Sequence, residues 1–236
     1  MDKRSIWPAA AVHVLTATGA VLGFFALTAT ARGAYETAFL WLGAALLVDG
    51  LDGPLARYFY VKQTLPRICG DSLDLVIDYL TYVIVPAFMV YKADLVPAGF
   101  AGVAAGAIML TSLFHFADTQ SKTKDGYFVG FPALWNLVVL YAFVLQPAQE
   151  VVLGAVALFS VLTFVPLKWG HPVRVRAFRW ITLTVTAIWS AAALAVLLRG
   201  FPGGLATQVI FAAAAVYYLA LSLTRSAGLA ALKQMH

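Results

Sequence analysis

An all-α bundle of transmembrane helices, a polytopic membrane protein, is the fold class this sequence predicts, and three observations predict it. Of the 236 residues 62% are hydrophobic and 11% charged, with a mean hydropathy of +0.85. A soluble domain of this length would need far more polar surface. Apolar runs of about 18–22 residues, the length that crosses a hydrocarbon core, recur eight times. The basic residues then divide by side when the chain is threaded through those runs with its N-terminus inside. Of 16 Lys and Arg, 13 fall inside, and Arg32, Lys92 and Arg199 fall outside. That asymmetry is the positive-inside rule.

Taken in order, the runs lie near residues 8–29, 34–56, 72–91, 96–115, 131–146, 149–167, 178–198 and 206–224. The first follows a short lead, Met1 to Trp7. It is too long for a removable signal peptide and lacks a convincing cleavage site. The second ends among acidic residues and glycines, and the third returns from them. The fifth is short. Two inner loops hold most of the remaining polarity: HFADTQSKTKDGYFVGFPALWN, His115 to Asn136, and KWGHPVRVRAFR, Lys168 to Arg179. Eight spans put both termini on the cytoplasmic side. The chain reads as one domain, 1–236, without repeats or linkers. Its single cysteine, Cys69, excludes an internal disulfide. A net charge of +5 suits an anionic lipid surface. The basic residues are scattered between apolar spans, so nucleic acid is not an expected partner.

Function concentrates in one stretch, Val48 to Tyr82. It carries Asp49, Asp52, Asp71, Asp74 and Asp78, five of the chain's eleven acidic residues. Asp49 and Asp52 stand i, i+3, and Asp74 and Asp78 stand i, i+4, so each pair shares a helical face. Gly50, Gly53, Pro54, Pro66 and Gly70 interrupt a continuous helix between them. The pattern predicts a helix ending near Arg57, a turn, and a return helix from about Asp71, with the carboxylate pairs facing each other. Asp71 is expected to cap the return helix. Carboxylates gathered in a weakly solvated place repel one another. An aspartate at a membrane helix centre costs about 2.5–3.5 kcal/mol on insertion scales. Divalent cations compensate, and an all-oxygen ligand set suits Mg²⁺, Mn²⁺ or Ca²⁺ rather than zinc. His115 and His171 have no metal-type spacing.

The offsets in Asp49-x2-Asp52-Gly53-x2-Ala56-Arg57 and Gly70-x3-Asp74-x3-Asp78 resemble the signature of the CDP-alcohol phosphotransferase family. One departure stands out. Twelve residues, Tyr58 to Cys69, separate the arginine from the second glycine, where the family usually has a shorter spacer. That spacer, with Asp78-Tyr79-x-Thr81-Tyr82 after it, resembles the bacterial branch of the family that makes phosphatidylcholine. The resemblance implies an integral membrane enzyme with a six-helix catalytic core, to which the last two spans are an addition. It implies transfer of the phosphatidyl group of CDP-diacylglycerol to choline, with release of CMP, in phospholipid biosynthesis at the bacterial inner membrane. The implied partners are CDP-diacylglycerol, choline and the bilayer, and a homodimer is a compatible assembly.

The resemblance also implies roles. Asp49, Asp52, Asp74 and Asp78 would hold Mn²⁺ or Mg²⁺ as two ions, and Asp78 would take the proton of the acceptor. Asp52, Gly53, Ala56, Arg57 and Gly70 would line the nucleotide and diphosphate site. Glycines there let the backbone approach closely, alanine keeps the face small, and arginine pairs with a diphosphate oxygen. Other candidates rest on side-chain chemistry. The quaternary ammonium of choline donates no hydrogen bond but binds aromatic faces. Tyr79, Tyr82 and Trp135 are the candidates, with Tyr127, Phe128 and Phe131 in the same inner loop. Arg174 and Arg176, near Arg179, are candidates for the lipid phosphate. His13 and Asn136 are polar residues within spans, where they either bridge helices or touch substrate.

Two other functions compete. A sibling enzyme would use another acceptor, serine being the hardest to separate from choline. A cation transporter would use the aspartates as an ion site. It predicts broken spans in matched halves, which the sequence lacks, and it leaves Gly53, Ala56 and Arg57 unexplained. The layout carries its own prediction. After Lys62→Cys or Lys122→Cys, an impermeant thiol reagent should modify the new side chain only from the cytoplasmic side. Labelling at position 62 from outside intact cells would overturn the topology.

Overall fold

A computed structural model of the protein describes residues 5–121, 123, 127–170 and 178–233. Its helices are α1 (Ile6–Ala31), α2 (Tyr35–Tyr58), a one-turn α3 (Val61–Thr64), α4 (Gly70–Asp78), a π-helical stretch (Tyr79–Ile84), α5 (Val85–Lys92), α6 (Ala101–Ala117), α7 (Trp135–Leu145), α8 (Gln149–Leu162), α9 (Arg179–Arg199) and α10 (Leu205–Lys233). Two short strands, β1 (Tyr127–Val129) and β2 (Lys168–Gly170), join the two polar loops.

Each apolar run read from the sequence has its helix. From α4 through the π-helical stretch to α5 the chain forms one apolar rod, Gly70–Lys92. Among the described residues, that rod, α1, α2, α9 and the part of α10 up to Leu223 are the five helices long and apolar enough to cross a membrane; α6, α7 and α8 are shorter apolar helices. The fifth run departs most from its expected bounds. Expected over 131–146, it is helical only over Trp135–Leu145. Gly130 (φ 77°) and Ala133 (φ 54°) take left-handed backbone, and the Phe131 N–H bonds the Leu162 carbonyl at 3.0 Å. These residues therefore tie the chain to the end of α8 instead of extending α7. A Cβ at Gly130 would lie 2.2 Å from the Thr163 carbonyl oxygen, so the close approach and the positive φ both require glycine. Irregular backbone at membrane depth is tolerated where protein covers it, and Phe131 and Ala133 are both buried.

The strands pair antiparallel, with Tyr127 opposite Gly170 and Val129 opposite Lys168. The Lys168 ammonium stands 5.1 Å from the Tyr127 ring centroid, a cation–π distance. Helical periodicity gave no sign of this ribbon. The core gathers Val83, Met89, Ile108, Trp135, Val139 and Val196 from five segments. α9 and α10 join through Thr182–Tyr217 at 2.7 Å and Thr186–Tyr218 at 2.6 Å, and the Gln208 amide donates to the Val144 carbonyl of α7 at 3.1 Å.

α1 positions the acidic segment. A Cβ at Gly19 would lie 2.7 Å from Ile77, and one at Gly23 would lie 2.6 Å from Leu80 and 3.3 Å from Thr81. This small-x3-small spacing lets α1 close on α4 and the π-helical stretch. Gly23→Val should therefore lower the melting temperature in detergent by about 2–10 °C, the effect of overpacking by about 1–3 kcal/mol. Gly43→Ala is the control, since nothing lies within 4 Å of a Cβ there; it should not lower the melt, because alanine is the better helix former.

Candidate active site

α2 stays helical through Gly50, Gly53 and Pro54 to Tyr58. Pro54 has no N–H, so the Gly50 carbonyl loses its ladder bond. The chain turns at Tyr60 in left-handed backbone (φ 53°), makes α3, and returns as α4. The result is the hairpin that the spacing predicts. One carboxylate oxygen from each of Asp49, Asp74 and Asp78 fits within 4.8 Å of the others, and all three side chains are half-buried. The Tyr82 hydroxyl donates to Asp49 Oδ2 at 3.2 Å. Tyr82 lies in the π-helical stretch that begins directly after Asp78. Such stretches are rare and often sit at functional sites.

Asp52 is placed differently. It is 8% exposed, stands outside the group of three, and lies against the Thr16 side chain and the Gly53 backbone. Three of the four expected metal ligands thus converge, and the fourth forms part of the wall of an adjoining cleft. Asp71 does not cap α4. Cys69 holds the N-cap position, and Asp71 lies in the first turn, where its charge complements the helix dipole.

The cleft, about 210 Å³, opens between α1, α2, α3 and α4. Asp52, Gly53, Ala56 and Gly70 line it, together with Asp74. Arg57 is exposed beside it, folded back so that a Cβ on Gly53 would lie 3.5 Å from its Nη1. Thr16 and Lys62 also line the cleft, and the motif did not single them out. The signal for Lys62 was the long spacer, whose residues Val61, Lys62, Pro66, Ile68 and Cys69 form one wall. Cys69 is exposed, and hydrogen bonding to the Ser72 side chain and backbone holds its thiol below the usual range. It is a reactive handle inside the cleft.

The acceptor candidates separate. Trp135 is 0% exposed. Its indole N–H donates to Ser112 Oγ at 2.7 Å, and its ring packs edge-on against Phe131 and Phe159. No ring face is left for a ligand, so Trp135 is a core residue. Tyr79 donates to the Met109 carbonyl at 2.9 Å and meets Phe116 edge-on. It is directed toward α6, because neighbouring residues of a helix point to different sides. Of the three, Tyr82 is the one hydrogen-bonded to an aspartate. Asn136 Oδ1 accepts the Leu137 N–H at 2.9 Å. Arg174 and Arg176 lie outside the described residues, as do Lys122 and Lys124.

The donor set fits a hard divalent cation. Three carboxylates offer only oxygen, and they leave coordination positions open for phosphate and water, as Mg²⁺ and Mn²⁺ sites do. A second ion would need Asp52 in addition.

The sequence matches known proteins over most of its length. Residues 9–165 match the sequence model of a family described as CDP-alcohol phosphatidyltransferase. That segment takes in the first six apolar helical segments and leaves α9 and α10 outside. The chain is 44% identical over 192 residues to a phosphatidylcholine synthase of Mesorhizobium japonicum, covering 80% of this chain and 72% of that protein. It is 46% identical over 191 residues to a phosphatidylcholine synthase of Rhizobium meliloti, covering 80% and 79%. With a phosphatidylcholine synthase of Pseudomonas aeruginosa the identity is 42% over 228 residues, covering 96% and 94%.

The Tyr82 contact makes a measurable claim. Tyr82→Phe removes the hydroxyl that orients Asp49 and keeps the ring. Mn²⁺ affinity, read from the free-ion EPR signal during titration, should weaken about 10-fold or more, as for other groups that orient a metal ligand. Unchanged Mn²⁺ binding would reduce the contact to packing.

Proposed function

The chain belongs to the CDP-alcohol phosphatidyltransferase family, and from that premise we propose that it transfers the phosphatidyl group of CDP-diacylglycerol to choline and releases CMP. The observation that carries the proposal is the convergence of Asp49 on α2 with Asp74 and Asp78 on α4, beside a cleft lined by Gly53, Ala56 and Gly70. The shared name of the relatives supports the acceptor.

Asp49, Asp74 and Asp78 would hold Mn²⁺ or Mg²⁺, with Asp52 serving a second ion, and metal bound there supplies neutralising charge to the diphosphate and the departing CMP. The chain's own residues do the rest. Gly53, Ala56 and Gly70 let the nucleotide lie close to bare backbone. Arg57 reaches a diphosphate oxygen. The choline oxygen attacks the phosphatidyl phosphorus, the bond from that phosphorus to the CMP oxygen breaks, and the hydroxyl proton passes to Asp78. Tyr82 keeps Asp49 in place, and the field of the clustered carboxylates draws the permanent cation of choline. The 13-to-3 division of basic residues supports a site on the cytoplasmic side of a bacterial inner membrane, where an activated lipid meets a soluble alcohol.

The test is CMP release by the purified protein with CDP-diacylglycerol, Mn²⁺ and one alcohol at a time. Choline should support turnover, and serine, glycerol phosphate and inositol phosphate should not; turnover with serine alone would make the enzyme a sibling. Exhaustive EDTA should abolish the reaction. Asp78→Asn should lose about 10²–10⁴-fold in kcat, the usual contribution of a general base, while CMP still binds. Parallel loss of CMP and metal binding would make Asp78 chiefly a ligand, and near-normal turnover would remove it from the mechanism.

A further inference from the structure

His13 sits on α1, 7% exposed, and its side chain lines the cleft with Asp52, Gly53 and Gly70. Its Nε2 is buried and has no hydrogen-bond partner among the described residues. A buried polar nitrogen left in that state is costly, and native structures keep such groups for a reason. The surroundings say what the reason is. A Cβ on Gly70 would lie 3.5 Å from His13 Cε1, so the imidazole and the α4 backbone face each other closely. Gly70 lies one turn before Asp74 on α4. On α1, Thr16 stands beside Asp52 and Gly19 meets Ile77. His13, before both, therefore sits one turn nearer the cytoplasm than the carboxylates. A donor whose diphosphate reaches Asp49, Asp74 and Asp78 must run its nucleoside outward past Gly53 and Gly70, which brings it to His13.

We infer that His13 is a nucleoside-contact residue of the donor site, its Nε2 hydrogen-bonding the sugar or base of the CDP group held between α1, α2 and α4. The inference rests on the reading of this cleft as the donor site. A small rotation about the broad Cβ–Cγ torsion of histidine is enough to aim Nε2 at a bound ligand. A histidine serving only as packing would need no nitrogen there, and leucine would fill the same space.

The chain's single cysteine supplies a readout independent of turnover. In the Mn²⁺-loaded protein, CMP should slow alkylation of Cys69 by N-ethylmaleimide, followed by mass spectrometry. His13→Ala and the bulkier His13→Leu should each raise the half-protective CMP concentration about 10-fold, the worth of one hydrogen bond in a buried site. His13→Gln, which keeps hydrogen-bonding capacity, should stay nearer wild type, and the KM for choline should not move. A larger loss for CMP than for 2′-deoxy-CMP would assign the contact to the 2′-hydroxyl, and an equal loss would assign it to the rest of the nucleoside. Protection of wild type with an unaltered CMP requirement in folded His13→Leu would overturn the inference alone. Failure of CMP to protect wild-type Cys69 would overturn the reading of the cleft, and the inference with it.

Discussion

Repulsion between carboxylates in a poorly solvated place is the constraint to which this structure answers. Two unit charges at the 4.8 Å that bounds the Asp49–Asp74–Asp78 group repel by roughly 3 kcal/mol at an effective dielectric of 20. Three such pairs compete directly with helix packing. The sequence meets this from two sides. It offers an oxygen-only set that a divalent cation turns from repulsive to attractive. It also places the group on the rods of α2 and α4, whose internal hydrogen bonds do not depend on the charge state of the side chains.

Holding those rods together falls to α1. Gly19 and Gly23 remove the side chains that would keep α1 away from Ile77 and Leu80. Where helices lack a hydrophobic drive to associate, such close approach is a main source of attraction. The same approach sets Thr16 against Asp52 and His13 against Gly70. The π-helical stretch after Asp78 completes the frame by bringing Tyr82 to Asp49, a contact 33 residues apart in sequence. Packing, the cleft and the orientation of the carboxylates thus depend on one helix and one irregular turn.

Much of this was legible in the sequence because it is periodic. Offsets of three and four residues put Asp49 with Asp52 and Asp74 with Asp78, and long apolar runs marked eight helices whatever their contacts. Aromatic residues were harder to place. Tyr79 and Tyr82 both follow Asp78 within one turn, yet one bonds Met109 and the other Asp49, a difference set by the π-helical turn and by which helix lies opposite. Trp135 lies in a polar inner loop by sequence, but that loop folds inward at Gly130 and buries the indole on Ser112. The β1–β2 ribbon escaped because each strand is three residues long, too short for any alternation to register. Asp52 shares its helical face with Asp49 as the offset requires, but it lies one turn along, where Thr16 rather than α4 is its neighbour.

The long spacer is where this chain leaves the family's pattern, and the structure shows why the departure leaves the aspartates undisturbed. Asp49 to Arg57 lies within α2 and Gly70 to Asp78 is α4, so their offsets are held by helical ladders on either side of the insertion. The extra length goes elsewhere. Tyr60 turns the chain, and α3 folds back until Val61 is buried against Ala9 and Val12 of α1, with Leu55 and Phe59 around it. That small apolar cluster anchors the spacer as a wall of the cleft and brings Lys62 to its lining. Lysine there is a compact positive charge on a flexible stem, facing a space otherwise bordered by Asp52, Asp71 and Asp74. An insertion between two rigid helices can therefore reshape the rim of the site and alter its charge without moving the carboxylates at its centre.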